Sequence, residues 1–224
     1  MVFERQIQHY LLLVVLLAAV VARCSLSSDA LSGQWAGLST AAWLIVAIAI
    51  PIVHQVYVWL VWRTGLHHGL VTKWFGRNRG FSIYAVGFAL LFGTRLLTLI
   101  ALATSNYGTL GFSPRLAYAL AVILGIPWAY AIYSVLRYFG LRRAFGIDHF
   151  DPAYRTMPFV RQGIFRWTSN GMYGPGFFVV WLPGLIGLSE AALLAGLFNH
   201  AYIWVHYYTT ELPDIRRIYG SKTK

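Results

Sequence analysis

Apolar residues in this chain come in long unbroken blocks, not in the alternating or stripe-forming patterns of a water-soluble fold. Six blocks stand out, at positions 10–22, 41–62, 81–103, 116–136, 174–187 and 191–208. The second, third and fourth run 21 to 23 residues, enough to cross a hydrocarbon layer as helices rising about 1.5 Å per residue. None shows the period-2 alternation of a barrel strand, so helices are expected throughout. The first block is short but lengthens if Gln6 and Gln8 lie at the interface. The last two blocks are broken at Gly187-Leu188-Ser189-Glu190, and Pro183, Gly184 and Gly187 weaken the first arm. They predict a helical hairpin, since one long tilted helix would carry Glu190 near mid-bilayer. The expected fold class is all-α, an integral membrane bundle of about six transmembrane segments whose last two form that hairpin. A single membrane domain is expected over 1–224. Within it, 1–136 supplies four transmembrane helices, and 137–224 supplies an interfacial segment, the hairpin and a tail carrying the candidate active site.

Composition supports the same class. The chain has 224 residues, 58% hydrophobic and 11% charged, with a formal net charge of +11, whereas a soluble domain is about 25% charged. The positive charge is unevenly placed, and placement decides its meaning. Arg63, Lys73, Arg77 and Arg79 fall between the second and third blocks. Arg137, Arg142, Arg143, Arg155, Arg161 and Arg166 precede the fifth, and Arg216, Arg217, Lys222 and Lys224 follow the sixth. With Arg5, 15 of the 18 Lys and Arg lie on one side of a six-crossing topology. The positive-inside rule makes that side, with both termini, cytoplasmic. It also attracts anionic lipid headgroups, and no nucleic-acid partner is expected. The N-terminal block reads as a retained helix, because Arg23-Cys24 is a poor cleavage site. The single cysteine, Cys24, excludes an intramolecular disulfide and a multi-cysteine metal site.

The stretch 137–173 is hydrophilic yet rich in aromatics, which suits a segment lying at the membrane interface. It leads into FRWTSNGMYGPGF, 165–177. Asn170 and Tyr173 enter the expected hairpin; Asn199, His200, His206, Thr209, Thr210 and Glu211 leave it. Asn199, His206 and Thr210 share one helical face. Closing the hairpin should set Asn170 and Tyr173 against His206 and Glu211. Polar groups at membrane depth are costly and point either to function or to hydrogen bonds between helices.

These residues carry a resemblance. GIFRWTSNGMYGPG, 163–176, followed by a hairpin and ELPDIRRIYG, 211–220, resembles the membrane-embedded S-adenosylmethionine-dependent methyltransferases. That superfamily includes the isoprenylcysteine carboxyl methyltransferases and the phosphatidylethanolamine N-methyltransferases. The carboxyl enzymes carry a pattern close to G-P-Y-x-x-x-R-H-P-x-Y-x-G, then E-E-x-x-L-x-x-x-F-G. Gly163, Phe165 and Tyr173 keep the first register, with Ser169-Asn170-Gly171 standing for Arg-His-Pro. The phospholipid enzymes carry Asn-Pro-Met-Tyr there, and Asn170-Gly171-Met172-Tyr173 matches three of those four. Leu136-Arg137-Tyr138-Phe139-Gly140 is also similar to their preceding stretch. Glu211, Ile215, Tyr219 and Gly220 hold the second pattern, where Leu212 replaces a second glutamate. The likeness covers about residues 130–222 and is closest to the phospholipid enzymes.

The resemblance implies an enzyme that moves a methyl group from S-adenosylmethionine to a membrane lipid, foremost the amine headgroup of a phospholipid. It implies cofactor contacts from Asn170, Tyr173, Gly174, Gly176, His206 and Glu211. His206 and Glu211 become the catalytic candidates, as bases for an amine acceptor. Arg142, Arg143 and Arg216 are candidates for a lipid phosphate, although positive-inside placement also explains them. Rival readings are a carboxyl methyltransferase, an NADPH-dependent sterol or steroid reductase, and a non-enzymatic membrane protein. The reductases continue beyond the Tyr-Gly pair, where this sequence has four residues. Elsewhere, Arg95 is expected to snorkel outward or to hold a buried partner. His54-Gln55 after Pro51 suggests a kink with satisfied polar groups. No metal site is expected, His67-His68 lacking carboxylate or cysteine neighbours.

Overall fold

The computed structural model describes residues 1–26 and 29–220. Lys222 and Lys224, counted above among the inner-side charges, lie outside them. The described chain is all-α but for a ribbon of two two-residue strands, and four helices are long and apolar enough to cross a membrane. These are α1 (Gln6–Ser25), α2 (Thr40–His68), α4 (Arg77–Ser105) and α5 (Pro114–Ser134), the last prolonged by a wide turn to Phe139. Their outward faces carry leucine, isoleucine and valine, among them Leu11, Val15, Leu90, Leu97, Ile123 and Ile126. An exposed apolar surface of this extent suits a bundle solvated by lipid.

Shorter elements link and follow these helices. The ribbon β1 (Gln34–Trp35) and β2 (Leu38–Ser39) precedes α2, and α3 (Leu70–Phe75) follows it. Positions 63–80, expected as a loop, are thus largely helical. After α5 come α6 (Leu141–Ala144) and three short 3-10 turns at Ile147–His149, Pro152–Thr156 and Gly163–Arg166. A 3-10 segment, Pro175–Trp181, leads into α7 (Leu182–Ile186). The chain reverses at Gly187–Ser189 and returns as α8 (Glu190–His206), then a wide π turn (Tyr207–Glu211) and α9 (Leu212–Tyr219).

Small residues let the returning helix close on the arm before it. A Cβ on Gly184 would sit 2.7 Å from the Leu193 nitrogen, and one on Gly196 2.7 Å from the Val180 carbonyl. Ala191, Ala192 and Ala195 pack with Leu44, Ala47 and Ile48 of α2 and Leu99 and Leu102 of α4, so α2, α4 and α8 form the centre. The reversal is fastened from outside it. Asn106 Oδ1 accepts from Ser189 Oγ and Ala191 N, each at 3.0 Å. Ser189 caps α8 through Ala192 N, and Arg23 of α1 forms an ion pair with Glu190. Capping and pairing satisfy the exposed helix N-terminus.

Candidate functional site

Antiparallel packing of the Pro175–Ile186 arm against α8 brings the start of one to the end of the other. Tyr173 donates its hydroxyl hydrogen bond to the Glu211 carboxyl. The Tyr173 ring lies 5.2 Å from that of Tyr207 and 6.1 Å from that of Trp204. Farther along the same seam, His200 Nδ1 accepts from Trp181 Nε1 at 2.8 Å, and His200 Nε2 reaches the Tyr173 carbonyl at 2.9 Å. His200 therefore fastens the two arms together.

Pro213 explains the shape of the turn that carries Glu211. A proline has no N–H to give the carbonyl four residues back and collides with it. Here that carbonyl belongs to Thr209, and the helix widens into the π turn. The carbonyls of Thr209 and Thr210 are instead taken by Arg63 Nη2, at 3.1 and 3.3 Å. Arg63 is fully buried, with Nε on Asp214 at 3.2 Å and Nη1 on the carbonyls of Val2 and Glu4. Sequence placement counts Arg63 as a loop charge obeying the positive-inside rule. The structure corrects this: it is an internal ion-pair partner binding the N-terminus, α2, the π turn and α9.

A second cation joins this network. Gly146, at φ 78°, lies so close to Trp62 that a Cβ would come within 2.4 Å of the indole. That approach seats His149 flat on Trp62, ring centroids 4.2 Å apart. His149 Nδ1 is 3.2 Å from Asp148, Nε2 is 3.6 Å from Asp214, and Tyr219 donates to Asp148 at 2.9 Å. Burial alone would lower the His149 pKa, but Asp148 and Asp214 outweigh it and raise it to about 9. For Asp148, desolvation works upward, yet the hydrogen bond and charge of His149 hold it below the usual carboxylate range. Burial, with the charge of Asp148, raises the Tyr219 phenol.

Glu211 is the carboxyl left over. Three acidic groups, Asp148, Asp214 and Glu211, face two cations, Arg63 and His149, and both cations bond to the aspartates. Among the described residues no basic group pairs with Glu211. It keeps some exposed surface, but surrounding protein desolvates the carboxyl more than the His149 charge can offset, raising its pKa to about 8. A carboxyl hydrogen-bonded to Tyr173, whose ring packs near Tyr207 and Trp204, is suited to a cationic ligand.

The remaining sequence candidates divide. Asn170 takes part through its backbone, its carbonyl accepting from Tyr173 N and Gly174 N. A Cβ on Gly174 would meet only that carbonyl, at 3.6 Å, leaving the backbone open to approach, whereas one on Gly176 would press the Gly171 carbonyl at 3.1 Å. His206 is buried between His9 and Trp62, ring centroids 6.3 and 5.9 Å away, not beside Tyr173. Arg142 lies over Phe81, and Arg143 lies over Phe139 while donating to the Pro158 carbonyl. Arg216 is exposed on α9.

Two helix residues settle open points. Arg95 takes the second of its two expected arrangements: it does not snorkel but is fully buried, with Nε on Asn199 Oδ1 at 2.6 Å. His54 is not satisfied, since neither ring nitrogen has a protein partner. Sequence reading missed Asp148, His149 and Asp214; the Leu212-Pro213 pair, which breaks a helix directly after Glu211, was the available signal. No group of His, Cys, Asp and Glu among the described residues is arranged to hold a metal ion. No family model matches the chain, and no curated protein or solved structure shows significant similarity to it.

Proposed function

We propose that the protein is a membrane-embedded methyltransferase that uses S-adenosylmethionine and acts on a lipid, foremost the amine headgroup of a phosphatidylethanolamine-type phospholipid. The observation that carries this reading is the Tyr173–Glu211 contact. It joins the two halves of the motif resemblance at one carboxyl that lacks a cation of its own. In this reading the Pro175–Ile186 arm and α8 form a helical hairpin, giving six crossings with both termini and the site on the cytoplasmic side. Arg77 and Arg217 at one end, against Arg23 paired with Glu190 at the other, fit that sidedness.

The residues present fit the cofactor's charge. Glu211 and Tyr173 would hold its cationic part, the faces of Tyr207 and Trp204 would flank it, and the open backbone at Gly174 would admit it closely. When bound, the cofactor supplies an electrophilic methyl group on sulfur. The chain itself orients the acceptor, excludes water, and takes the proton that a lipid ammonium must lose. Glu211 Oε, beside Tyr173, would accept that proton, and His206, the other sequence candidate, is buried away from Tyr173. Arg142, Arg143 and Arg216 would meet a headgroup phosphate at the surface.

The test is transfer of labelled methyl from S-adenosylmethionine to phosphatidylethanolamine in liposomes holding the purified protein. Label should appear in the lipid extract and fall at least about tenfold with Glu211→Gln. Label only in a prenylcysteine acceptor would move the reading to the carboxyl enzymes. No label in either would sink it.

A further inference from the structure

Away from the Tyr173–Glu211 contact, three nitrogen-rich side chains sit inside the bundle with most of their hydrogen-bonding capacity unused. Arg95 on α4 is 0% exposed; beyond its Nε bond to Asn199, neither Nη1 nor Nη2 meets a protein acceptor. His54 on α2 and His206 on α8 are each 2% exposed, and neither ring nitrogen of either is engaged. Arg95 and His54 share one aromatic wall, while His206 lies seven residues beyond Asn199 on α8, beside His9 and Trp62. Aromatic rings wall the cluster. Phe88 and Phe92 stand 4.6 and 6.3 Å from His54, and Phe92 is 6.3 Å from Phe177, over which Arg95 lies at 5.1 Å.

The position makes the unused donors informative. Arg95 stands ten residues before the end of α4, about 15 Å by helical rise, and His54 is midway along α2. A guanidinium so placed, with one neutral amide as partner, is costly to bury. No carboxylate pairs with it among the described residues. Water would satisfy its N–H groups but not its charge. An oxyanion answers both, because the guanidinium fork and imidazole N–H groups converge well on carboxylate or phosphate oxygens.

We infer that Arg95 and His54 form an oxyanion-binding site inside the bundle, taking the phosphate or carboxylate of a small ligand that extends toward His206. The site does not depend on the methyl-transfer reading, although each ligand named there carries one such group.

Two pairs of probes separate the sources, each an oxyanion ligand beside a counterpart lacking that group. Dihexanoyl phosphatidylethanolamine is set against dihexanoylglycerol, and S-adenosylhomocysteine against methylthioadenosine. Binding to the full chain in detergent is followed by calorimetry for the parent, Arg95→Gln and His54→Gln. The parent should prefer one oxyanion probe over its counterpart by about tenfold or more, a preference lost in Arg95→Gln and reduced in His54→Gln. Preference in the first pair identifies a lipid phosphate, and in the second a cofactor carboxylate. If Arg95→Gln does not fold, His54→Gln, which spares the Arg95–Asn199 bond, carries the test. Equal binding within both pairs, or a preference unchanged in the variants, would leave the cluster holding water only and overturn the site. Lack of methyl transfer alongside an Arg95-dependent preference would leave it standing.

Discussion

Glu211 and His149 are close enough to share an electrostatic field, yet burial acts on them in opposite senses. The His149 pKa is raised from 6.5 to about 9, so its stabilisation is complete below about pH 6.5 and is lost as pH rises through 9. Glu211 is raised from 4.5 to about 8; its folded state holds a proton that the unfolded chain releases, so stability again declines between those values. Asp148 is lowered and works the other way, its contribution disappearing in acid. The thermal midpoint in detergent should therefore fall steadily from about pH 5 to 9. Glu211→Gln should remove the slope below about pH 6.5, weaken it between about 6.5 and 8, and leave the part above about 8; an unchanged slope in that variant would refute the assignment. Arg63 and Asp214 give a second residue-scale expectation. Arg63→Ala leaves Asp214 buried without its main partner and should cost about 3–5 kcal/mol. The double variant Arg63→Met/Asp214→Leu should unfold at a higher temperature than either single change, as read by scanning fluorimetry. Arg63 was not legible in the sequence as a core residue, because its partner lies 151 positions away and nearby cations offered a simpler explanation.

Elements were legible in proportion to how little they depend on distant partners. Continuous apolar character marks α1, α2, α4 and α5 by itself, since a helix in lipid satisfies its own backbone. The Pro175–Trp181 arm is different, a 3-10 segment where a regular helix was expected. Pro175, Pro183 and the glycines disfavour an ordinary α-helix, and packing on α5 and α8 compensates. Motif glycines turn out to have packing reasons. Gly171, where the phospholipid enzymes carry proline, leaves no room for a side chain: a Cβ would stand 2.8 Å from Ile164 Cγ2. Gly171→Ala should lower the thermal midpoint, by about 1–3 kcal/mol in stability. Combined with Ile164→Ala, it should cost clearly less than the two single changes summed. Strict additivity would show that the contact does not govern this position.

At the scale of the whole molecule, one architecture accounts for both the lipid-facing surface and the concentration of polar groups at one end. α2, α4 and α8 form a centre of small residues, while the α1 and α5 surfaces remain largely apolar and exposed. The Tyr173–Glu211 meeting was foreseeable because reversal at 187–189 aligns the two ends. The ion network beneath it was not, because it draws on the N-terminus, α2, the segment after α5 and α9 at once. That network ends with one carboxyl in excess, and the proposed function rests on what neutralises it. Calorimetry of the detergent-purified chain with S-adenosylmethionine, S-adenosylhomocysteine and NADPH tests this most directly. Both adenosyl compounds should bind and NADPH should not. The advantage of the sulfonium over the neutral thioether should grow as pH rises through about 8 and Glu211 ionises. Binding of NADPH alone, or of none of the three, would contradict the account.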